Sequence, residues 1–214
     1  VVDREPQVAM KMTLDGKMLF EMGNRGQPSD TGYTRESPTV KQAAGPFHHP
    51  TDLAWSSSGD LLISDGYRNA RVHVFSATGK LIRSWGEPGN GPGQFVLVHS
   101  VWEARNGRMY VADRQNNRIQ VFTPAGRYIE EWGGYKQPCK IYVEKNDIMY
   151  IAELEARLTF CNLDGTILAR FEGNGKREPG ELMAPHGVWT DSRGDMYVAE
   201  VLTSARLQKF IKVK

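Results

Sequence analysis

Cysteine is scarce. Only Cys139 and Cys161 occur in 214 residues, and neither belongs to a Cys-x-x-Cys pair. Two cysteines make no disulfide framework and leave the redox compartment open. No apolar run approaches the roughly 18 residues of a membrane helix. Net charge is only +2, and basic residues are interleaved with acidic ones. A nucleic-acid partner or an anionic membrane surface is therefore not expected from bulk electrostatics. Helical periodicity is missing along the whole chain, which argues against bundles and helical repeats. There is no Gly-x-Ser-x-Gly, no phosphate loop and no His-Glu-x-x-His. The glycine-rich run Gly86–Gly93 is followed by no helix that could offer amides to a phosphate. No signal peptide is visible, and the opening Val1-Val2-Asp3 reads as the end of an earlier repeat, so an upstream segment is expected.

Glycine, by contrast, is plentiful at 22 residues, and it falls in turns. Four runs repeat one pattern: LLISD ending at Asp65, MYVAD at Asp113, MYIAE at Glu153 and MYVAE at Glu200, with spacings of 48, 40 and 47 residues. Each copy is joined to a second landmark of the type Asp-Gly or Thr-Gly-Lys: Asp15-Gly16, Thr78-Gly79, Ala125-Gly126 and Asp164-Gly165. Strand, glycine turn, strand is hairpin chemistry. A further strand then ends in Met22-Gly23, Trp85-Gly86 or Trp132-Gly133. Four short strands in about 40–50 residues is the size of one β-propeller blade. The expected fold is all-β, a single propeller domain over residues 1–214. Its blade-like units are 1–23, 49–86, 99–133, 138–173 and 185–214, and 24–48 is a long surface loop. The first unit lacks an initial strand and the last lacks an outermost one, so the chain supplies roughly four to five blades.

Aligning the units on their first strands isolates one position. It reads Thr51, His99, Cys139 and His186. First strands line the axis of a propeller, so these four side chains are expected to form a ring. Two imidazoles with a thiol between them suit a metal ion, since a catalytic zinc takes three protein ligands and keeps an open position. Channel-lining histidines bonded to backbone or water would look the same, and Cys139 also suits a small buried residue. The loop Asp65-Gly66-Tyr67-Arg68-Asn69 is one residue longer than its counterpart at Asp113-Arg114. The extra residue is expected to bring Tyr67 onto the face of the ring, as a proton acceptor beside a cation or as a packing residue. Arg114 could clamp a carboxylate or pair with an acidic neighbour. Arg71, Arg118, Arg157 and Arg206 recur at one spot and read as scaffold. His48, His49 and His73 lie off the ring position, with His49 a weak ligand candidate.

The apolar strand, Asp, Asn, Arg and glycine-turn pattern resembles the NHL-repeat propellers. Within them, PTDLAW, LLISDGYRNARVHVF, SWGEPG, PGQF, HS and MYVADRQNNRIQVF resemble the peptidyl-α-hydroxyglycine α-amidating lyases. The resemblance implies a six-bladed propeller with an axial zinc, releasing glyoxylate from a peptidyl- or N-acyl-α-hydroxyglycine. It implies that His99 and His186 are zinc ligands and that Tyr67 and Arg114 are catalytic. A peptide or small-molecule substrate and a secreted or periplasmic setting go with it. A third histidine and a further arginine are implied upstream of Val1. Ala184 stands where the family has Met, and Gly187 stands where the animal enzymes have an Asp tied to calcium, so calcium gains no support here. The cysteines flanking the tyrosine loop in those enzymes are missing. The competing expectation is a non-catalytic NHL propeller that binds a peptide, protein or glycan, with RNA a distant third option. Oligomeric state is left open by the sequence.

Overall fold

The computed structural model describes residues 1–203 and 205–213. It is an all-β, five-bladed propeller in which one short 3-10 turn, Arg114–Asn116, is the helical element among the described residues. Blade I holds β1 (Val2–Asp3), β2 (Val8–Met12) and β3 (Met18–Met22). Blade II holds β4 (Pro50–Trp55), β5 (Leu61–Asp65), β6 (Arg71–Phe75) and β7 (Leu81–Trp85). A short parallel pair, β8 (Glu87–Pro88) and β9 (Gln94–Phe95), leads to the next blade. Blade III holds β10 (Val98–Glu103), β11 (Met109–Asp113), β12 (Arg118–Phe122) and β13 (Tyr128–Trp132). Blade IV holds β14 (Pro138–Val143), β15 (Met149–Glu153), β16 (Arg157–Cys161) and β17 (Ile167–Glu172). Blade V holds β18 (Pro185–Thr190), β19 (Met196–Glu200) and β20 (Leu207–Phe210). Every blade is an antiparallel meander in sequence order. No helix among the described residues is long and apolar enough to cross a membrane.

The hairpins between first and second strands in blades II to V, and the outer hairpins of blades I to IV, share one turn. In each, the first residue donates its N–H to the carbonyl four residues on, as in Ser56 to Asp60 and Ala104 to Arg108. The residue before that acceptor takes a positive φ, which is why Gly59, Gly107, Gly126 and Gly165 sit there. A left-handed residue closing such a turn matches the twist of the flanking strands. The β14–β15 hairpin fills this position with Asp147 at φ 63°. Gly126 and Gly165 have a second role: a Cβ there would strike the indoles of Trp85 and Trp132 in the preceding blade. The Trp-Gly landmarks of the sequence are thus one blade's outer strand packing under the next blade's outer turn.

Blades stack through apolar wedges. Ala9, Met22, Phe47, Leu61 and Ile63 fill the contact between blades I and II. Leu62, Val74, Phe95, Val101, Met109 and Phe122 join II to III. Tyr110, Ile119, Ile141, Met149 and Ile151 join III to IV, and Tyr142, Leu158, Val188 and Val198 join IV to V. No comparable wedge joins V to I among the described residues. Burial peaks in the middle of the arc, where every residue of β11 and β12 is inaccessible, and falls to nothing along β17.

A buried carboxylate ends the second long strand of each of blades II to V. Asp113 accepts from Arg118 Nε (2.9 Å), Asn116 Nδ2 (2.7 Å) and the backbone N–H of Val96 (3.1 Å). Glu153 accepts from Arg157, Thr159 and the N–H of Lys136, and Glu200 accepts from Arg206 and the N–H groups of Met183 and Ala184. Blade II differs. Asp65 is held by Asn69 Nδ2 (2.8 Å), His73 Nε2 (3.3 Å) and the N–H of His48 (3.0 Å), while Arg71 turns outward to Glu87 and the carbonyl of Gly86. The longer loop after Asp65 displaces its arginine, and a buried histidine replaces it.

Removing Arg118 would leave the wholly buried Asp113 without its cation and would free the carbonyls of Asn90 and Gly91 that Arg118 also serves. Arg118→Ala should destabilise the protein by about 3–5 kcal/mol, read as a lower urea midpoint. A loss below about 1 kcal/mol, the range of an exposed ion pair, would refute this account of the latch.

Candidate metal-binding and catalytic site

The four residues of the expected ring are the bulged residues of their strands. Pairing jumps from Pro50–Asp65 to Asp52–Ser64, from Val98–Asp113 to Ser100–Ala112, from Pro138–Glu153 to Lys140–Ala152, and from Pro185–Glu200 to Gly187–Ala199. Thr51, His99, Cys139 and His186 are each the unpaired extra residue. A bulge bends its strand and re-aims one side chain out of the regular alternation. The same defect in four blades therefore turns four side chains to one end of the axis.

Their outcomes differ. Thr51 is used up by scaffold bonds to the carbonyls of Ser64 and Val98. His99, Cys139 and His186 converge, with one ligand atom from each lying within 4.8 Å of the others. The rings of His99 and His186 meet edge to face with centroids 4.6 Å apart. The carbonyl oxygen of Cys139 lies 2.7 Å from His99 Nδ1. That oxygen only accepts, so Nδ1 carries the proton and Nε2 keeps its lone pair. The phenol of Tyr67 lies 3.1 Å from Nε2 and donates to it.

Tyr67 reaches the ring because Gly66 lets its loop lie on β10: a Cβ at Gly66 would fall inside the backbone of Val98. The N–H of Tyr67 donates to the carbonyl of His49 (3.3 Å), which anchors the loop from behind. Two guanidinium groups flank the phenol ring, Arg114 at 5.5 Å and Arg4 at 5.3 Å from its centroid. Arg114 begins the 3-10 turn after β11, where its N–H is tied to the carbonyl of Leu97 (2.8 Å). Tyr67, His99, His186 and Arg114 thus meet at one end of the axis, together with Cys139. His49 stays apart, 3.8 Å from Glu5.

Below the bulges a second tier points inward: Asp52, Ser100, Lys140 and Gly187. Lys140 Nζ reaches Asp52 Oδ2 at 2.7 Å from the blade beyond its neighbour, and Ser100 Oγ donates to the same oxygen at 2.7 Å. Below that tier lies an aromatic floor. Tyr142 lies 4.2 Å from Trp189 and 5.5 Å from Trp102, ring centre to ring centre. Beside the site, the loop over residues 24–48 folds back on the face and, with blades II and III, encloses a cleft of about 580 Å³ lined by Tyr33, Val40, Tyr67, Val96 and Leu97. The Asp52–Lys140 pair and Arg4 escape a reading of the sequence that stops at the ring position. The pair was available one residue further along each strand, but Arg4 carries no repeat signal.

Charge and burial shape the donors. Burial, then His186 and Arg114, hold the His99 imidazole well below its ordinary range. Burial, then Arg114, lower His186 as well. Both rings therefore stay neutral, which is the form that binds a metal. Burial pushes the Cys139 thiol up to about 11, against a downward pull from Arg114. Two neutral imidazoles and one thiol on three neighbouring strands fit the donor types of a zinc site with an open position. A bound metal would deprotonate that thiol outright.

Comparison with known proteins agrees with this architecture. The NHL repeat family model matches residues 47–75. The peptidyl-glycine alpha-amidating monooxygenase of Mus musculus is 43% identical over 76 residues, which is 33% of this chain and 8% of that protein. The peptidyl-alpha-hydroxyglycine alpha-amidating lyase 1 of Drosophila melanogaster is 36% identical over 73 residues, 34% of this chain and 11% of that protein. The chain thus spans a small part of the length of these relatives. A streptogramin B lyase structure superposes with a TM-score of 0.66 at 14% identity, covering 98% of this chain and 63% of that one, a likeness of fold.

The lowered histidines make acid sensitivity testable. Protonation favours the unfolded chain, where both rings regain their ordinary affinity. The stability they contribute is complete above about pH 6.5 and is lost as pH falls from there toward their lower folded values. Urea unfolding of metal-free protein should show a midpoint that falls steadily from about pH 6.5 downward, less steeply in His99→Gln. A midpoint independent of pH in that window would contradict it.

Proposed function

We propose that this chain, a β-propeller that matches the NHL repeat model over residues 47–75 and the amidating lyases over a third of its length, cleaves a peptidyl- or N-acyl-α-hydroxyglycine to an amide and glyoxylate with the help of zinc. The observation that carries the reading is the Tyr67 phenol 3.1 Å from Nε2 of His99, with His186 packed against the same imidazole. His99 and His186 are the proposed zinc ligands. Zinc, when bound, supplies a Lewis acid that polarises an oxygen of the substrate and eases loss of its proton.

The remaining chemistry belongs to the chain. With Nε2 of His99 given to a metal, the phenol would lose the acceptor it now donates to, and Tyr67 would act as a phenolate, its Oη taking the proton of the substrate hydroxyl. The O–H electrons become the new carbonyl bond as the C–N bond breaks, and the departing amide nitrogen takes that same proton from Tyr67, which returns the phenolate. Arg114 and Arg4, at 5.5 and 5.3 Å from the Tyr67 ring, hold the glycine-derived carboxylate and stabilise the charge that develops beside them. The peptide or acyl portion extends into the cleft lined by Tyr33, Val40, Val96 and Leu97. Gly66 keeps the phenol over the imidazole, since a bulkier residue would lift the loop off β10.

Zinc-loaded protein should release glyoxylate from an N-acyl-α-hydroxyglycine, and a chelator should abolish this. Tyr67→Phe should lower kcat by about 10²–10⁴-fold, the range of a lost general base, with metal content unchanged. Zinc-loaded protein without glyoxylate release would reject the lyase reading and leave the propeller as a binding module.

A further inference from the structure

The third donor of the metal site is already in this chain. We infer that Cys139 is a direct metal ligand, so that blades III, IV and V alone provide a complete three-ligand set, His99, Cys139 and His186. This rests on the zinc reading above but departs from it in the ligand set, since a thiolate takes the place that the resemblance assigns to an upstream histidine.

Three observations carry the inference. The ligand atoms of the three residues lie within 4.8 Å of one another, and among the described residues they form the one group of three or more His, Cys, Asp or Glu side chains so placed. Each of the three is the bulged residue of its first strand, so one backbone device aims all of them. They occupy consecutive blades, which are packed by continuous apolar wedges and so hold their spacing without help from blade I. The two other cysteine and threonine positions show the contrast. Cys161 is buried between blades III and IV as a wedge residue, and Thr51, the bulged residue of blade II, spends its hydroxyl on the carbonyls of Ser64 and Val98. The Cys139 sulfur donates only weakly, to the carbonyl of Gln137 at 3.5 Å, and its other neighbour is the Arg114 guanidinium, a cation that favours the thiolate. Its own carbonyl meanwhile fixes His99 in the tautomer that offers Nε2. Residue 139 therefore acts twice, through sulfur as a ligand and through oxygen as the group that orients a second ligand. A soft thiolate beside two imidazoles favours zinc over calcium or magnesium.

Cobalt(II) reports thiolate ligation directly, because a cobalt–thiolate bond adds a strong near-ultraviolet charge-transfer absorption that imidazole and oxygen ligands lack. Titration of metal-free protein with cobalt(II) should develop this band at one equivalent. Cys161→Ser should keep it. Cys139→Ser should lose it and bind zinc more than ~100-fold more weakly, beyond the cost of removing an outer-shell partner. X-ray absorption of the zinc-loaded wild-type protein should show one sulfur at about 2.3 Å, a result that needs no variant and stands even if Cys139→Ser folds poorly. Tight metal binding with no thiolate band and no sulfur scatterer would overturn the inference while leaving a histidine-held zinc in place. Failure of the wild-type protein to bind zinc or cobalt would overturn both.

Discussion

A carboxylate sealed inside the end of each full inner strand governs the rest of the molecule. Asp65, Asp113, Glu153 and Glu200 accept hydrogen bonds from the backbone of the segment entering the first strand of their own blade. Each of these residues also pairs with the residue directly before the bulge: Pro50, Val98, Pro138 or Pro185. The register jump that follows is therefore fixed on one side by a buried charge. A slip would strand that charge in an apolar wedge, which costs several kcal/mol. The ring of bulged side chains inherits its geometry from this constraint.

Much of this was legible in the residues. The Leu-Ile-Ser-Asp and Met-Tyr-Val-Ala-Asp runs read as strands because apolar side chains end at an acidic residue followed by Asn and Arg. The glycine turns read because a positive φ demands them. The ring position read because Thr51, His99, Cys139 and His186 sit at one offset in four copies. What stayed hidden depended on distance across the axis. That Thr51 withdraws into scaffold bonds while Cys139 turns toward two histidines is a matter of which carbonyls lie near, and no spacing encodes it. The salt bridge from Lys140 to Asp52 spans 88 residues of sequence, and nothing in either strand marks the two as partners, although both lie one residue past the ring position. Arg71 was read as equivalent to Arg118, but the additional residue in its loop sends it to Glu87 and hands its task to His73.

The site has a polar mouth and an aromatic floor whose far side, at Trp189, opens to water. Imidazoles, a thiol and a phenol crowd the upper tier, one ion pair crosses the middle, and Trp102, Tyr142 and Trp189 pack beneath. Burial around the upper donors keeps the His99 and His186 imidazoles uncharged, while Arg4 stays half exposed and paired with Glu5.

The link from Lys140 to Asp52 acts as a strut between two blades that do not touch side by side. Its length sets how far apart the inner ends of blades II and IV can stand, and blade III, with His99, is clamped between them. Outer strands such as β17, open to water along their whole length, are then free to breathe or to change composition without altering the bore of the axis. Drift in sequence should accordingly concentrate at the rim, while the hub tolerates little more than exchange of one matched pair of charges for another.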